Sequence, residues 1–175
     1  MEKPNQIKRV MFVCHGNICR SPMAEMISRD LCAKRGITGL VFASSATSTE
    51  EIWNGVGNPV YPPARAELLR HGIDPKDKRA VQLSAADYDH YDLFVGMDSA
   101  NIRNMMRIFH GDPQQKVRKL MEYTKRGGDV SDPWYTDRFD VAFADIFEGC
   151  EALLGAMLAQ KYKNGVEKSR KIIIN

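Results

Sequence analysis

The sequence predicts an α/β fold, a single domain in three layers, with a central four-stranded parallel sheet flanked by helices. Three observations predict it. Short apolar, β-branched runs alternate with segments whose apolar residues recur at helical spacing, as in strand–helix–strand crossovers. The chain has 175 residues, enough for one sizeable core. No internal repeat or low-complexity stretch breaks the alternation.

The elements follow in order. Arg9-Val10-Met11-Phe12-Val13-Cys14 is a continuous apolar run, suited to a strand buried on both faces. After a loop, Pro22 opens a helix to about Arg35, and Gly36 ends it. Gly39 to Ser44 reads as the second strand. Thr47 to Pro63 is rich in Ser, Thr, Gly, Asn and Pro and reads as one long loop. A helix from about Pro63 to Arg70 stops at His71-Gly72, and Ser84 caps a short helix. Tyr91 to Met97 is the third strand. Asp98 or Ser99 caps a helix ending near His110-Gly111, with Ile102, Met105, Met106 and Phe109 as its core stripe. Gln115 to Leu120 is a weaker fourth strand, and Gly127 to Pro133 is a loop. A long helix runs from Phe139 to about Tyr162, with Asn164-Gly165 as its stop. Residues 1–165 are therefore expected to form the domain. Residues 166–175, charged and then abruptly apolar, form a C-terminal tail with no assigned role.

Composition narrows the function classes. About 43% of residues are hydrophobic and 27% charged, with a formal net charge of +3. That balance excludes a disordered chain. No stretch reaches the roughly 20 apolar residues of a spanning helix, so no membrane role is expected. The charge excess is too small for a nucleic-acid binder. The polar start lacks a signal-peptide core, which points to a cytoplasmic protein. Four cysteines, at 14, 19, 32 and 150, do not make a disulfide scaffold in such a compartment. Cys32 and Cys150, on helical segments, read as buried thiols. A monomer or weak homodimer is the default assembly.

Parallel sheets bind ligands beyond the carboxyl ends of their strands, so the loop after Val13 is the place for chemistry. It reads Cys14-His15-Gly16-Asn17-Ile18-Cys19-Arg20-Ser21-Pro22. Five residues between a cysteine and an arginine can curl so that successive N–H groups converge, and the following helix adds its positive end. Gly16 and Asn17 tolerate the dihedrals such a nest needs. Arg20 can fork two N–H groups onto a tetrahedral anion. The same positive field favours the thiolate of Cys14 over the thiol. A thiolate beneath a bound phosphate is placed for in-line attack on phosphorus. Ser21 can donate to that sulfur and ease its later departure. An ester's leaving oxygen also needs a proton, and Asp132, aimed by Pro133 in a Gly-rich loop, is the candidate acid.

The run Val13 to Glu25, V-C-H-G-N-I-C-R-S-P-M-A-E, resembles the signature of the low-molecular-weight protein tyrosine phosphatases. The resemblance continues through Ser44 to Ser48, Arg70-His71-Gly72-Ile73, Gly96-Met97-Asp98 and Asp132-Pro133-Trp134, roughly from Arg9 to Gln160. It implies hydrolysis of phosphotyrosine, in a protein or as an aryl phosphate, through a phosphocysteine intermediate. Cys14 would be nucleophile, Arg20 the phosphoryl clamp, and Asp132 first acid and then base. No metal or other cofactor is implied. By the same resemblance, His15, Gly16, Asn17, Ile18, Cys19 and Ser21 contact substrate. Trp134 and Tyr135 wall a slot for a planar ring, with Trp53 as a facing wall. Ser44 and His71 would support Asn17, and Cys19 would act as a redox guard for the nucleophile. Two positions depart from the pattern: His15 stands where the family varies, and Ala80-Val81-Gln82 replaces its usual Ala-Arg-Gln.

Other readings are weaker. A zinc site built on Cys14, His15 and Cys19 lacks a second Cys/His pair. A thiol-dependent arsenate reductase would need further cysteines, and none lies between Thr47 and Ala100. A phosphoarginine phosphatase would carry Thr where Ile18 stands. A non-catalytic phosphopeptide-binding module would usually have lost the thiol, the arginine or the acid, and all three are present.

Overall fold

The computed structural model describes residues 6–173, with side chains described through residue 163. Its main sheet has four parallel strands in the order β2-β1-β5-β6: β1 Arg9–Cys14, β2 Val41–Ala46, β5 Leu93–Gly96 and β6 Val117–Lys119. Between β2 and β5 lie a two-stranded hairpin, β3 Ile52–Trp53 and β4 Val56–Gly57, and helix α2 Pro62–Arg70. The remaining α-helices are α1 Arg20–Arg35, α3 Ser99–Phe109, α4 Pro133–Thr136 and α5 Phe139–Ile173. Two short 3-10 turns, Ala85–Asp89 and Leu120–Tyr123, complete the set. The expected three-layer α/β architecture is the one found.

Burial explains why β1 is apolar at consecutive positions. Val10, Phe12 and Cys14 face a large core layer with α1, α2 and α5, while Met11 and Val13 face a smaller one with α3. Both faces are dry, so no polar residue interrupts the run until the strand ends. Cys32 and Cys150 are buried, and burial pushes the Cys150 thiol up to about 12. In the α3 stripe Met105 is fully buried and Ile102 and Phe109 are partly so, but Met106 is exposed. Helix α3 rests on a sheet edge, which covers a narrower stripe than four positions need.

Several boundaries differ from the sequence reading. Strand β2 lies two residues later, because its pairing with β1 sets Val41 opposite Arg9 and Ala46 opposite Cys14. The long loop contains the hairpin, whose turn uses Asn54 and Gly55, both at positive φ. Gly57 on its second strand runs against the 78–82 segment so closely that a Cβ would sit 1.9 Å from the Ala80 carbonyl oxygen. Asn164-Gly165 does not stop α5, which continues to Ile173. A glycine inside a helix costs only about 1 kcal/mol, too little to end a helix of this length without a left-handed cap.

The chain enters the sheet at β1, builds β2 on one side, then crosses to place β5 on the other. That reversal opens a crevice at the carboxyl end of β1, where Cys14 stands.

Candidate active site

The crevice holds a cavity of about 490 Å³ whose floor is the segment Cys14–Arg20. Local bonding shapes this loop. The carbonyls of Cys14, His15, Ile18 and Cys19 accept from the N–H groups of Thr47, Ser48, Tyr61 and Met23. Asn17 takes a left-handed conformation, φ 57°, which its short polar side chain tolerates. Its own N–H donates to Cys14 Sγ at 3.3 Å. Among the described residues, the Gly16, Ile18 and Cys19 N–H groups have no acceptor. A loop with carbonyls tied outward and amides unused is a receptor for an anion.

Side chains behind the loop form a directional chain. Val81 N–H donates to Asn17 Oδ1 at 3.0 Å, which fixes the orientation of that amide. Asn17 Nδ2 therefore donates to Ser21 Oγ at 2.8 Å and to Ser44 Oγ at 2.9 Å. Ser21 Oγ accepts from Asn17, so its hydrogen is free to point at Cys14 Sγ, 3.0 Å away. Ser44 donates in turn to the buried Glu25.

Arg20 is 97% buried and sits under three acceptors. Nη1 donates to Asp98 Oδ2 at 2.8 Å and to the Val130 carbonyl at 2.9 Å, and Nη2 donates to Asp132 Oδ2 at 3.2 Å. Burial alone pulls this guanidinium down. The Cys14 sulfur, Asp132 and Asp98 more than offset it, so it is held above its ordinary value and stays cationic. Cys19 moves the same way for the opposite reason. Burial pushes its thiol well up, Cys14 and Asp132 add to the rise, and only Arg20 opposes.

Asp132 caps α4, where its Oδ1 accepts from Trp134 N at 3.1 Å. The following proline confines it to an extended conformation, φ −81° and ψ 111°, and its carboxylate reaches the cavity. Trp134 and Tyr135 line the mouth and are largely exposed. Tyr61 packs against Trp134 with ring centroids 5.3 Å apart.

His15, Gly16, Asn17, Ile18 and Cys19 all line the cavity, and Ser21 and Ser44 stand behind it through the chain just described. Trp53 does not line it. It is 74% exposed on the hairpin, and Glu50 and Glu51, just before it, face the cavity instead. His71 also lies apart from the Asn17 chain. As the last residue of the α2 turn it meets Glu67 at 3.2 Å and stacks on Phe143. The residue beside Ser44 and Glu25 is Lys78, with Nζ 3.1 Å from the Ser44 carbonyl and 3.6 Å from Glu25 Oε2. Tyr61, Asp98, Glu25 and Lys78 were not singled out as site residues from sequence. Asp98 carried a signal as a helix cap, and it both caps α3 and holds Arg20.

Comparison with known proteins agrees with this geometry. The profile of the family described as low molecular weight phosphotyrosine protein phosphatase matches residues 9–166. The low molecular weight protein-tyrosine-phosphatase YfkJ of Bacillus subtilis is 38% identical over 154 residues, 87% of this chain and 97% of that protein. PtpA of Staphylococcus epidermidis, which carries the same description, is 36% identical over 146 residues, 83% of this chain and 90% of its own. The crystal structure of Bacillus subtilis YfkJ superposes with a TM-score of 0.83 at 35% identity, covering 89% of this chain and 97% of that one. SP-PTP from Streptococcus pyogenes superposes at 0.77 with 31% identity, covering 90% and 98%. The chain belongs to the low molecular weight phosphotyrosine protein phosphatase family.

Proposed function

We propose that this protein hydrolyses phosphotyrosine in proteins, and aryl phosphate monoesters generally, with Cys14, Arg20 and Asp132 as its catalytic residues. The observation that carries the assignment is the convergence on one cavity floor of the Cys14 sulfur, an unused set of loop amides, a buried arginine and a carboxylate hydrogen-bonded to it. The Cys14 thiolate attacks phosphorus in line and forms a P–S bond as the P–O bond to the phenol breaks. Asp132 gives its proton to the departing phenolate oxygen. A water then attacks the phosphocysteine, Asp132 takes its proton, the P–S bond breaks, and inorganic phosphate leaves with the thiolate restored. Arg20 and the amides of Gly16, Ile18 and Cys19 stabilise the equatorial phosphoryl oxygens, which carry the charge. Ser21 donates to the sulfur and helps it leave. Ring-binding is assigned to Trp134, Tyr135 and Tyr61.

We assign the activity to the domain of residues 1–165, working as a monomer or weak homodimer. The cytosol is the compartment proposed, since all four cysteines are free and a reducing environment suits them. Among the described residues no helix is long and apolar enough to cross a membrane. The deciding test is Cys14→Ser with an aryl phosphate, in chelator and without added metal. Wild type should turn over and the variant should not; persisting turnover in the variant would reject the assignment.

A further inference from the structure

We propose that the basic groove between helix α2 and residues 74–79 is a docking site for an acidic peptide with an apolar residue, a part of the substrate phosphoprotein other than its phosphotyrosine. The proposal deepens the phosphatase reading above and rests on it for the source of that peptide.

A second cavity of about 490 Å³ shares a wall with the catalytic one. Tyr61 lines the catalytic cavity, and its chain neighbours Val60 and Pro62 line the other. Helix α2 supplies the adjoining side. Its Ala64, Glu67 and Leu68 are buried against the domain, while Pro62, Ala66 and Leu69 recur on the outer face at helical spacing and line this cavity. Leu69 is 48% exposed there, and the buried Val60 sits beneath. The floor is therefore apolar.

The rim is cationic. Arg65, Lys76 and Arg79 stand around the cavity, with Asp77 as the acid among them. Arg65 Nη1 donates to the Lys76 carbonyl at 3.0 Å, and its Nη2 donates to Asp74 Oδ1 at 3.3 Å. Arg79 Nη1 donates to the Gly57 carbonyl at 2.9 Å. Three cations thus face two carboxylates, and the rim keeps a positive excess. The same bonds fix where both guanidiniums sit and leave most of their N–H donors unused. An anionic occupant gains charge-assisted bonds there at little cost in side-chain ordering.

Charge and shape together select the occupant. An inorganic anion would use the rim and leave the floor idle, and an aliphatic ligand would leave the cations uncompensated. A carboxylate side chain beside a leucine-like one uses both. The catalytic mouth repels that same segment, because Glu50 and Glu51 line the catalytic cavity. An acidic stretch of a bound phosphoprotein is turned away from them and meets the groove as the basic surface next door. Since the two cavities share a wall, one chain can fill both, and the second contact becomes intramolecular. The shared wall is itself tied to the anion-binding loop, where Tyr61 N–H donates to the Ile18 carbonyl at 2.8 Å.

The test uses a phosphotyrosine peptide joined by a short Gly-Ser linker to a tail that alternates Glu and Leu, and the same peptide with a Gly-Ser tail. The readout is the ratio of kcat/KM for the two. In wild type it should be about tenfold at low salt, carried by KM, and should fall several-fold at about 1 M salt, where screening is nearly complete. Lys76→Asn and Ala66→Glu, both at exposed positions of the groove, should bring the low-salt ratio to about twofold or below. Lys34→Gln, at the far end of α1, removes the same charge and should keep the ratio. A wild-type ratio near one would overturn the proposal, as would a ratio kept in both groove variants or lost equally in Lys34→Gln. A tail with Ser in place of Leu should lose most of the gain; if it keeps all of it, the groove is a diffuse anion surface and the peptide assignment falls. Anisotropy of the fluorescein-labelled Glu-Leu tail alone needs no turnover. An inactive wild type that still binds this tail, and loses it in Lys76→Asn, would refute the phosphatase reading and support the groove. An active wild type that neither binds the tail nor prefers it would refute the groove alone.

Discussion

Nη2 of Arg20 donates to Oδ2 of Asp132 across 3.2 Å, joining residues 112 positions apart in the chain. The same guanidinium holds Asp98 at the start of α3 and the Val130 carbonyl in the loop before α4. One buried cation thus gathers the loop of Val130 and Asp132, the start of α3 and the loop after β1 around a common point.

Arg20→Lys should reduce kcat/KM by about 10²-fold or more. An ammonium cannot fork onto two phosphoryl oxygens and cannot serve Asp98, Val130 and Asp132 with planar geometry. Thermal unfolding should fall as well, because a buried carbonyl loses its donor. Steady-state kinetics and a melting curve check both; activity within threefold of wild type would contradict the clamp role.

Asp132→Asn should lower kcat about 10²- to 10⁴-fold with a phenyl-type leaving group, while KM stays near wild type. The loss should shrink with dinitrophenyl phosphate, whose phenolate leaves without a proton. Equal losses across leaving groups of different basicity would remove Asp132 from the acid role.

The tie between Lys119 and Asp129, 2.8 Å, gives a pH prediction. The hydrogen bond from Lys119 holds the Asp129 carboxyl below its ordinary value against some opposing burial, with Ser99 assisting. A depressed carboxylate contributes stability that is present above its unfolded value, 3.8, and lost as pH falls through the folded one. The difference in melting temperature between wild type and Asp129→Asn should therefore be full above about pH 5 and fade below pH 4. A difference that grows on acidification would contradict the sign.

Gly149→Ala should destabilise by about 1–3 kcal/mol, although alanine is the better helix former. A Cβ there would lie 2.5 Å from Leu120 Cγ, and Leu120 is fully buried, so its side chain must shift within the core. Denaturant titration of Gly149→Ala, and of the same change with Leu120→Ala, separates the clash from helix propensity. The double variant should show a favourable coupling between the two sites.

How much of this was legible in the sequence depended on how local the cause was. Strand β1 and its loop are set by contiguous residues and were placed; helix α1 starts at Arg20, two residues before the Pro22 that was expected to open it. The Asp98 cap and the Asp-Pro turn at 132–133 are local too. Lys78 was not legible. Its contacts with Ser44 and Glu25 span 34 and 53 positions, and nothing near it in sequence marks it as different from the surface lysines around it. His71 was expected where Lys78 is found because the family resemblance implied a histidine there, and the resemblance carries no mark at Lys78. Trp53 was expected as a facing wall from the resemblance too; its ring faces solvent on a hairpin whose two-residue strands are too short for a periodicity to reveal. The continuation of α5 past Gly165 shows that a lone glycine signals a stop only when the chain also turns left-handed there, as it does at Gly36.

The near-contact of Gly57 with the Ala80 carbonyl bears on how this branch can diversify. The segment pressed against Gly57 carries Val81, whose N–H grips Asn17, so a side chain at 57 would be felt at the anion-binding loop by way of the main chain. Side chains and insertions in the hairpin are then best tolerated at its exposed tip, Asn54-Gly55, away from the segment that grips Asn17.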